Sequence, residues 1–172
     1  MQIDSDDFVL FGLPRRFGLD LAELDSRRRS LQGEVHPDRF AAADPASRRV
    51  AMQWAVRVNE AYARLKNPLL RAAYLCELNG VAIEAEDNTA MPAAFLMQQM
   101  AWREALDDAD GLDAVHRVAG DMAADRDSAY ARLARDIDDA ADFALAAQEV
   151  RALMFVESFA ADVDDRLVAM EH

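Results

Sequence analysis

Apolar residues recur along this chain at intervals of three and four, the spacing that places side chains on one face of an α-helix. Polar residues fill the positions between them, and the five prolines stand where the pattern is interrupted. No stretch alternates strictly between apolar and polar residues as a half-buried strand would. The pattern therefore predicts an all-α protein. Its strongest stripe comprises Val50, Trp54, Val58, Ala61, Tyr62 and Leu65.

Local capping signals mark where the helices begin and end. Asp20 and Asp44 are suited to begin two of them, because an aspartate side chain accepts hydrogen bonds from the first backbone N–H groups of a helix. Pro37 ends the first of these two helices, since proline has no N–H to donate and disfavours helical dihedral angles at the residue before it. Gly111 marks a later break. The predicted helices span residues 6–11, 21–35, 45–66, 69–78, 92–110, 112–137 and 139–170.

Charge divides the chain into two parts. Residues 1–78 hold 12 basic and 11 acidic side chains, whereas residues 79–172 hold 7 basic and 21 acidic ones. This shift, together with the irregular stretch 79–91, predicts two domains, 1–78 and 92–172, with 79–91 as their connector. The net charge of −13 argues against nucleic acid as a partner, because nucleic-acid binders carry a basic patch. A well-solvated acidic surface explains the charge equally well.

Candidate metal and catalytic chemistry is sparse. One cysteine and three histidines predict neither a structural zinc site nor a bound cofactor. The sequence contains no phosphate-binding glycine loop, so we expect no enzymatic activity, although His36 and Asp38 could form an acid–base pair. The acidic N-terminus lacks the features of a signal peptide, and no apolar run approaches the roughly 20 residues of a membrane helix. We therefore expect a cytoplasmic protein without membrane contact.

One motif gives these helices a family resemblance. The tripeptide His36-Pro37-Asp38 tips the predicted helical hairpin, with three arginines on the preceding helix and Asn59-Glu60-Ala61-Tyr62 late on the following one. This arrangement resembles the J-domain of co-chaperones that serve DnaK-class chaperones. Segments 8–14, 58–75 and 94–104 are similar more specifically to the HscB-type iron–sulfur co-chaperone, and the resemblance spans essentially the whole chain. Gly33-Glu34 departs from it, because J-domains usually carry basic or polar residues there.

The resemblance implies a fold and a first binding site. We expect an N-terminal J-domain hairpin and a C-terminal antiparallel three-helix bundle in an L-shaped arrangement. The hairpin would dock on an HscA-type chaperone and stimulate its ATPase. The residues implied in this contact are Arg27, Arg28, Arg29, His36, Pro37 and Asp38.

The first predicted bundle helix has two apolar faces, which indicates a second site. At about 100° per residue, Phe95, Trp102 and Leu106 form one stripe. Three apolar residues lie roughly opposite, followed by two acidic ones, and an exposed apolar surface of this kind is typical of protein binding. Burial of both faces is the alternative. The resemblance implies that this face binds an IscU-type iron–sulfur scaffold through Leu96, Met97, Met100, Glu104, Asp108 and, from the last helix, Phe155.

The resulting hypothesis is a monomeric co-chaperone that presents the scaffold to an HscA-type chaperone during iron–sulfur protein maturation. One alternative within the class is a general J-domain protein that serves a DnaK chaperone. An alternative of another class is a helical adaptor in which His-Pro-Asp occurs by coincidence.

Overall fold

The computed structural model describes residues 3–84 and 91–171, without the side chains of Pro37 and Glu171. Every regular element among the described residues is helical, so the predicted all-α class is confirmed. A 3₁₀ turn over Pro37–Phe40 and a π-helical turn over Arg135–Asp139 interrupt the α-helices. The helices are α1 Asp7–Phe11, α2 Leu21–Val35, α3 Pro45–Lys66, α4 Pro68–Leu78, α5 Ala93–Asp107, α6 Leu112–Ala134 and α7 Phe143–Glu171.

The chain forms two compact units, Met1–Leu75 and Cys76–His172. The boundary between them falls inside α4, three residues before the predicted domain limit. The start of the predicted connector belongs to the second unit, because Ile83 is buried there and its carbonyl accepts a hydrogen bond from Arg151 at 3.0 Å. Connector residues 85–90 lie outside the described part of the chain.

In the first unit, α2 and α3 pack against each other as an antiparallel hairpin, and α1 packs on both. Gln32 donates to Asn59 at 3.2 Å, and Tyr62 donates to Asp25 at 2.7 Å, so the residue later in α2 meets the residue earlier in α3, as in an antiparallel pair. This is the predicted J-domain hairpin. The fully buried side chains of this unit include Phe8, Phe11, Leu24, Val58 and Leu65.

The second unit is a bundle of α5, α6 and α7, each of which packs against the other two. Arg132 of α6 forms a salt bridge with Glu149 of α7, and the Nε–Oε1 distance between them is 2.9 Å. Trp102 of α5 stacks on Phe159 of α7, with ring centroids 6.1 Å apart. The core shared by the three helices comprises Trp102, Val115, Val118, Met122, Val156, Phe159, Ala160 and Val163.

Three predicted helix ends in the second unit are wrong. Helix α5 ends at Asp107 rather than at 110, where further aspartates would oppose the negative end of the helix dipole. Helix α6 ends at Ala134 rather than at 137, because its last turn widens into the π-helical turn. Helix α7 begins at Phe143 rather than at 139, after Ala141 adopts a positive φ of 51°.

Candidate functional site

The loop between α2 and α3 is a short hydrogen-bonded turn whose polar side chains face solvent. The backbone N–H of Asp38 donates to His36 Nδ1 at 3.2 Å, and that of Arg39 donates to the His36 carbonyl at 3.0 Å. Because Nδ1 accepts this backbone hydrogen bond, it does not donate to the Asp38 carboxylate 3.6 Å away. The Asp38 side chain is 91% exposed. The pair therefore lacks the orienting hydrogen bond of a catalytic dyad and instead presents a carboxylate at the tip of the hairpin.

The three arginines of α2 differ in how far their charges are available. Arg27 donates to Glu23 at 3.0 Å, one turn back on the same helix. Arg28 is half-buried, with its guanidinium carbon 4.1 Å from the centroid of the Tyr62 ring, a cation–π contact across the hairpin. Arg29 is exposed. The sequence predicted one basic patch, but the structure directs two of its three cations toward groups of the hairpin itself.

A polar network of Asp25, Tyr62 and Lys66 connects the two helices of the hairpin. The hydrogen bond from the Tyr62 hydroxyl holds the pKa of Asp25 below its ordinary value. Lys66 donates to the same hydroxyl at 2.6 Å, and this bond and the nearby Asp25 carboxylate raise the pKa of Lys66. Tyr62 thus joins a carboxylate on α2 to an ammonium group on α3, which holds the arms in register.

The second candidate site is the outward face of α5. Met97 and Met100 are 71% and 70% exposed, and Leu96 is 45% exposed. The opposite face carries Trp102 into the core and packs Phe95 against it. Within its own unit, α5 therefore leaves an apolar surface that the bundle does not use.

The remaining predicted members of this site are exposed as well. Glu104 is exposed one turn beyond Met100. Asp108 is exposed and lies just past the helix end, where its backbone N–H donates to the Glu104 carbonyl at 2.9 Å. Phe155 is 45% exposed on α7 and directly precedes Val156, which is buried in the core beside α5. We call Leu96, Met97, Met100, Glu104, Asp108 and Phe155 the α5 patch.

The sequence analysis missed Arg39. Its guanidinium folds back from the 3₁₀ turn, and Nη1 donates to the Gly33 carbonyl at 2.6 Å near the end of α2. The signal that could have found it is its position, because it directly follows Asp38 and is the first cation after Arg29.

Three further features concern these surfaces: metal-ligand groups, the single cysteine and membrane-spanning helices. The described residues contain no group of three or more His, Cys, Asp or Glu side chains placed to hold a metal ion. Burial raises the pKa of the Cys76 thiol to about 11, so it is protonated at neutral pH. No helix in the described ranges is long and apolar enough to span a bilayer.

A helical hairpin tipped by a His-Pro-Asp turn, and a helical bundle with an unused apolar face, together define a protein of the J-domain co-chaperone class. Residues 91–164 match the family model described as the HSCB C-terminal oligomerisation domain. A Burkholderia mallei protein named "Co-chaperone protein HscB homolog" is 47% identical over 175 residues, covering 100% of this chain and 99% of that protein. Its namesake in Bordetella petrii is 50% identical over 160 residues, covering 92% of this chain and 94% of that protein.

Solved structures give the same result. The chaperone HscB from Vibrio cholerae matches with a TM-score of 0.82 and 34% identity, covering 94% of this chain and 96% of that one. The human co-chaperone protein HscB matches with a TM-score of 0.91 and 25% identity, covering 96% and 84%. This chain belongs to the HscB family of iron–sulfur cluster co-chaperones. The resemblance seen in the sequence is thereby confirmed, and a non-chaperone adaptor is inconsistent with it.

Proposed function

We propose that this protein binds an IscU-type scaffold through the α5 patch and an HscA-type chaperone through the His36-Pro37-Asp38 turn, and that it stimulates the ATPase of that chaperone. One observation carries the proposal. Each of the two units exposes a distinct surface that its own core does not use, a solvated carboxylate turn in the first and an apolar face in the second. A protein built in this way can bind two partners at once.

On the chaperone side, the turn offers a carboxylate and a nearby basic helix face. Asp38 is solvated and held by a short turn, so it can accept hydrogen bonds from a cationic side chain of the partner with little loss of conformational freedom. The chain supplies no ATP chemistry of its own. It accelerates hydrolysis by binding more tightly to the hydrolysis-competent state of the chaperone than to other states.

On the scaffold side, the α5 patch combines adaptable methionines with acidic neighbours. Burial of exposed apolar side chains supplies affinity, and Glu104 and Asp108 favour a basic rim on the partner.

We propose that the protein acts in the cytoplasm as a monomer, without a cofactor or catalytic activity of its own. Analytical ultracentrifugation over a range of protein concentrations measures the molar mass in solution. A molar mass that rises with concentration would contradict the monomeric state.

The chaperone contact is tested by single-turnover ATP hydrolysis with an HscA-type and a DnaK-type chaperone. We expect stimulation of the HscA-type enzyme, further stimulation when scaffold is present, and loss of both in Asp38→Asn. This substitution keeps the size of an exposed side chain, so the fold should persist. Stimulation of the DnaK-type enzyme alone would favour a general J-domain protein, and no stimulation of either would overturn the proposal.

The scaffold contact is tested by calorimetric titration of the scaffold with variants of the α5 patch. Leu96→Ala, Met97→Ala and Phe155→Ala should each weaken binding, and removing a central interface side chain costs about 2 kcal/mol. Val168→Ala is the matched control, because Val168 is a similarly exposed apolar residue of α7 outside the patch. Equal effects of control and patch variants would overturn this assignment.

A further inference from the structure

The two apolar side chains that the α5 patch exposes most are methionines. Met97 is 71% exposed and Met100 is 70% exposed, whereas Leu96 and Phe155 are each 45% exposed. Met97 and Met100 are three residues apart on α5, a spacing at which side chains are neighbours on the helix surface. Their thioether groups are therefore open to solvent on the face that would bind the scaffold.

The other sulfur-containing side chains are less available or lie elsewhere. Met122 is buried in the bundle core, and the Cys76 thiol is buried and protonated, because burial raises its pKa to about 11. A protonated thiol resists oxidation, since the thiolate is the reactive form. Met52 of α3 is 60% exposed but lies in the first unit. An oxidant that reaches this chain therefore meets exposed methionines first, and two of them belong to the α5 patch.

Oxidation converts the apolar thioether of methionine into a polar sulfoxide. Hydrogen peroxide transfers one oxygen atom to the sulfur: the peroxide O–O bond breaks, an S–O bond forms, and water leaves. The thioether loses two electrons, which reduce the peroxide. Hydrogen peroxide is uncharged, so the acidic side chains of the second unit do not repel it. When the patch meets an apolar partner surface, the new oxygen loses its hydrogen bonds to water, and a buried polar group without a partner weakens binding about tenfold.

We infer that Met97 and Met100 are sites of reversible oxidation by peroxide, and that their sulfoxides release the scaffold from the α5 patch. This inference rests on the proposed function of that patch. The oxidised protein keeps its His36-Pro37-Asp38 turn, so the stimulation that it alone gives to the chaperone persists while the contribution of the scaffold is lost. Methionine sulfoxide reductases restore the thioether, which makes the change reversible.

Oxidation of the purified protein before calorimetric titration with scaffold tests the inference. Hydrogen peroxide is added and then removed with catalase, so the scaffold itself never meets the oxidant. Peptide mass spectrometry locates the added oxygen, which we expect at Met97, Met100 and Met52 and not at the buried Met122. The affinity for scaffold should fall about tenfold or more and should return after treatment with methionine sulfoxide reductases.

Leucine variants identify the methionines that cause the loss. The double variant Met97→Leu, Met100→Leu keeps an apolar face that peroxide cannot oxidise. Its affinity is compared only with its own value before treatment, and the two values should agree within twofold. Met52→Leu is the matched control, because it removes an exposed methionine outside the patch, and it should lose affinity on oxidation as the parent does.

The possible outcomes separate this inference from the proposed function. If Met52 gains oxygen while Met97 and Met100 do not, or if both gain oxygen and the affinity is unchanged, the inference fails and the proposed function stands. An equal loss of affinity in parent and double leucine variant would also overturn the inference, because the damage would then lie elsewhere in the chain. If the untreated parent does not bind scaffold at all, the proposed function fails and the inference fails with it.

Discussion

Asp7 is a fully buried carboxylate in the first unit, and two arginines of α3 balance its charge. Arg57 lies 2.7 Å from Oδ1 and Arg64 lies 3.0 Å from Oδ2. Asp7→Asn keeps the shape of the side chain but loses its charge, and a hydrogen bond to a charged group contributes about 2 kcal/mol. We predict that Asp7→Asn destabilises the first unit by that amount, measured by urea unfolding.

Hydrogen exchange localises the effect of this substitution. Protection should fall in residues 3–75 and stay unchanged in residues 91–171, because local stability follows the contacts that are lost. The matched control is Asp4→Asn, which alters an exposed carboxylate three residues away. A uniform loss of protection over both units would contradict the prediction.

The arginines of α2 should differ in their contribution to chaperone binding. The charge of Arg27 is already paired with Glu23, whereas Arg29 is exposed, so Arg29→Ala should weaken affinity more than Arg27→Ala. Surface plasmon resonance at low and at physiological salt concentration measures the affinity of both variants for the chaperone. Equal losses would show that the Arg27–Glu23 pair opens on binding. This order was accessible from the sequence, because Glu23 and Arg27 are four residues apart, the spacing at which opposite charges pair on a helix.

At the scale of an element, the N-terminal cap of α3 makes a pH-dependent contribution to stability. The Asp44 side chain accepts hydrogen bonds from the Ser47 hydroxyl and from backbone N–H groups of the first turn, and these hold its pKa below the ordinary 3.8. A group whose pKa is lowered on folding stabilises the protein above its unfolded pKa and stops doing so as the pH falls through its folded value. Asp44→Asn keeps the cap but cannot titrate.

We therefore predict that the parent is more stable than Asp44→Asn at pH 7 and that this difference shrinks below about pH 4. Thermal unfolding of both proteins between pH 7 and pH 3 measures the difference directly. Because other carboxylates titrate equally in both, their contributions cancel. A difference that is constant over the whole range would contradict the prediction.

Helix ends could be predicted wherever a residue type requires them. Asp20, Asp44 and Pro37 marked the ends of α2 and the start of α3 correctly, because capping and the missing proline N–H act within a few residues. The start of α7 follows a run of aspartates and alanines in which several residues could cap. There Asp142 accepts from the backbone of Leu145 at 3.0 Å, a choice that depends on the π-helical turn before it.

The candidate sites show the same division. The exposed apolar face of α5 could be predicted from periodicity, because an apolar face opposite a core stripe follows from helix geometry alone. The partners of Arg28 and Arg39 could not, since Tyr62 is 34 positions from Arg28 and the bond from Arg39 needs a 3₁₀ turn to bring it back to Gly33. Contacts of this kind depend on how elements pack or turn.

At the scale of the whole molecule, the two surfaces lie in separate units, so their binding reactions should be separable by mutation. Asp38→Asn should leave the affinity for scaffold unchanged. Met97→Ala should leave the stimulation that this protein alone gives to the chaperone unchanged but lose much of the extra stimulation by scaffold. We expect that extra stimulation to depend on tethering, because one molecule that holds both partners would convert their encounter into an effectively intramolecular one.

Titration of scaffold into the ATPase reaction at fixed co-chaperone concentration tests the tethering directly. A tether predicts that the rate rises, passes through a maximum and then falls, because excess free scaffold competes for the chaperone with scaffold held by this protein. Met97→Ala should shift the rising limb to higher scaffold concentration without changing the rate at zero scaffold. If the rise is identical in parent and variant, the scaffold reaches the chaperone independently of the α5 patch, and the two surfaces of this protein do not act together.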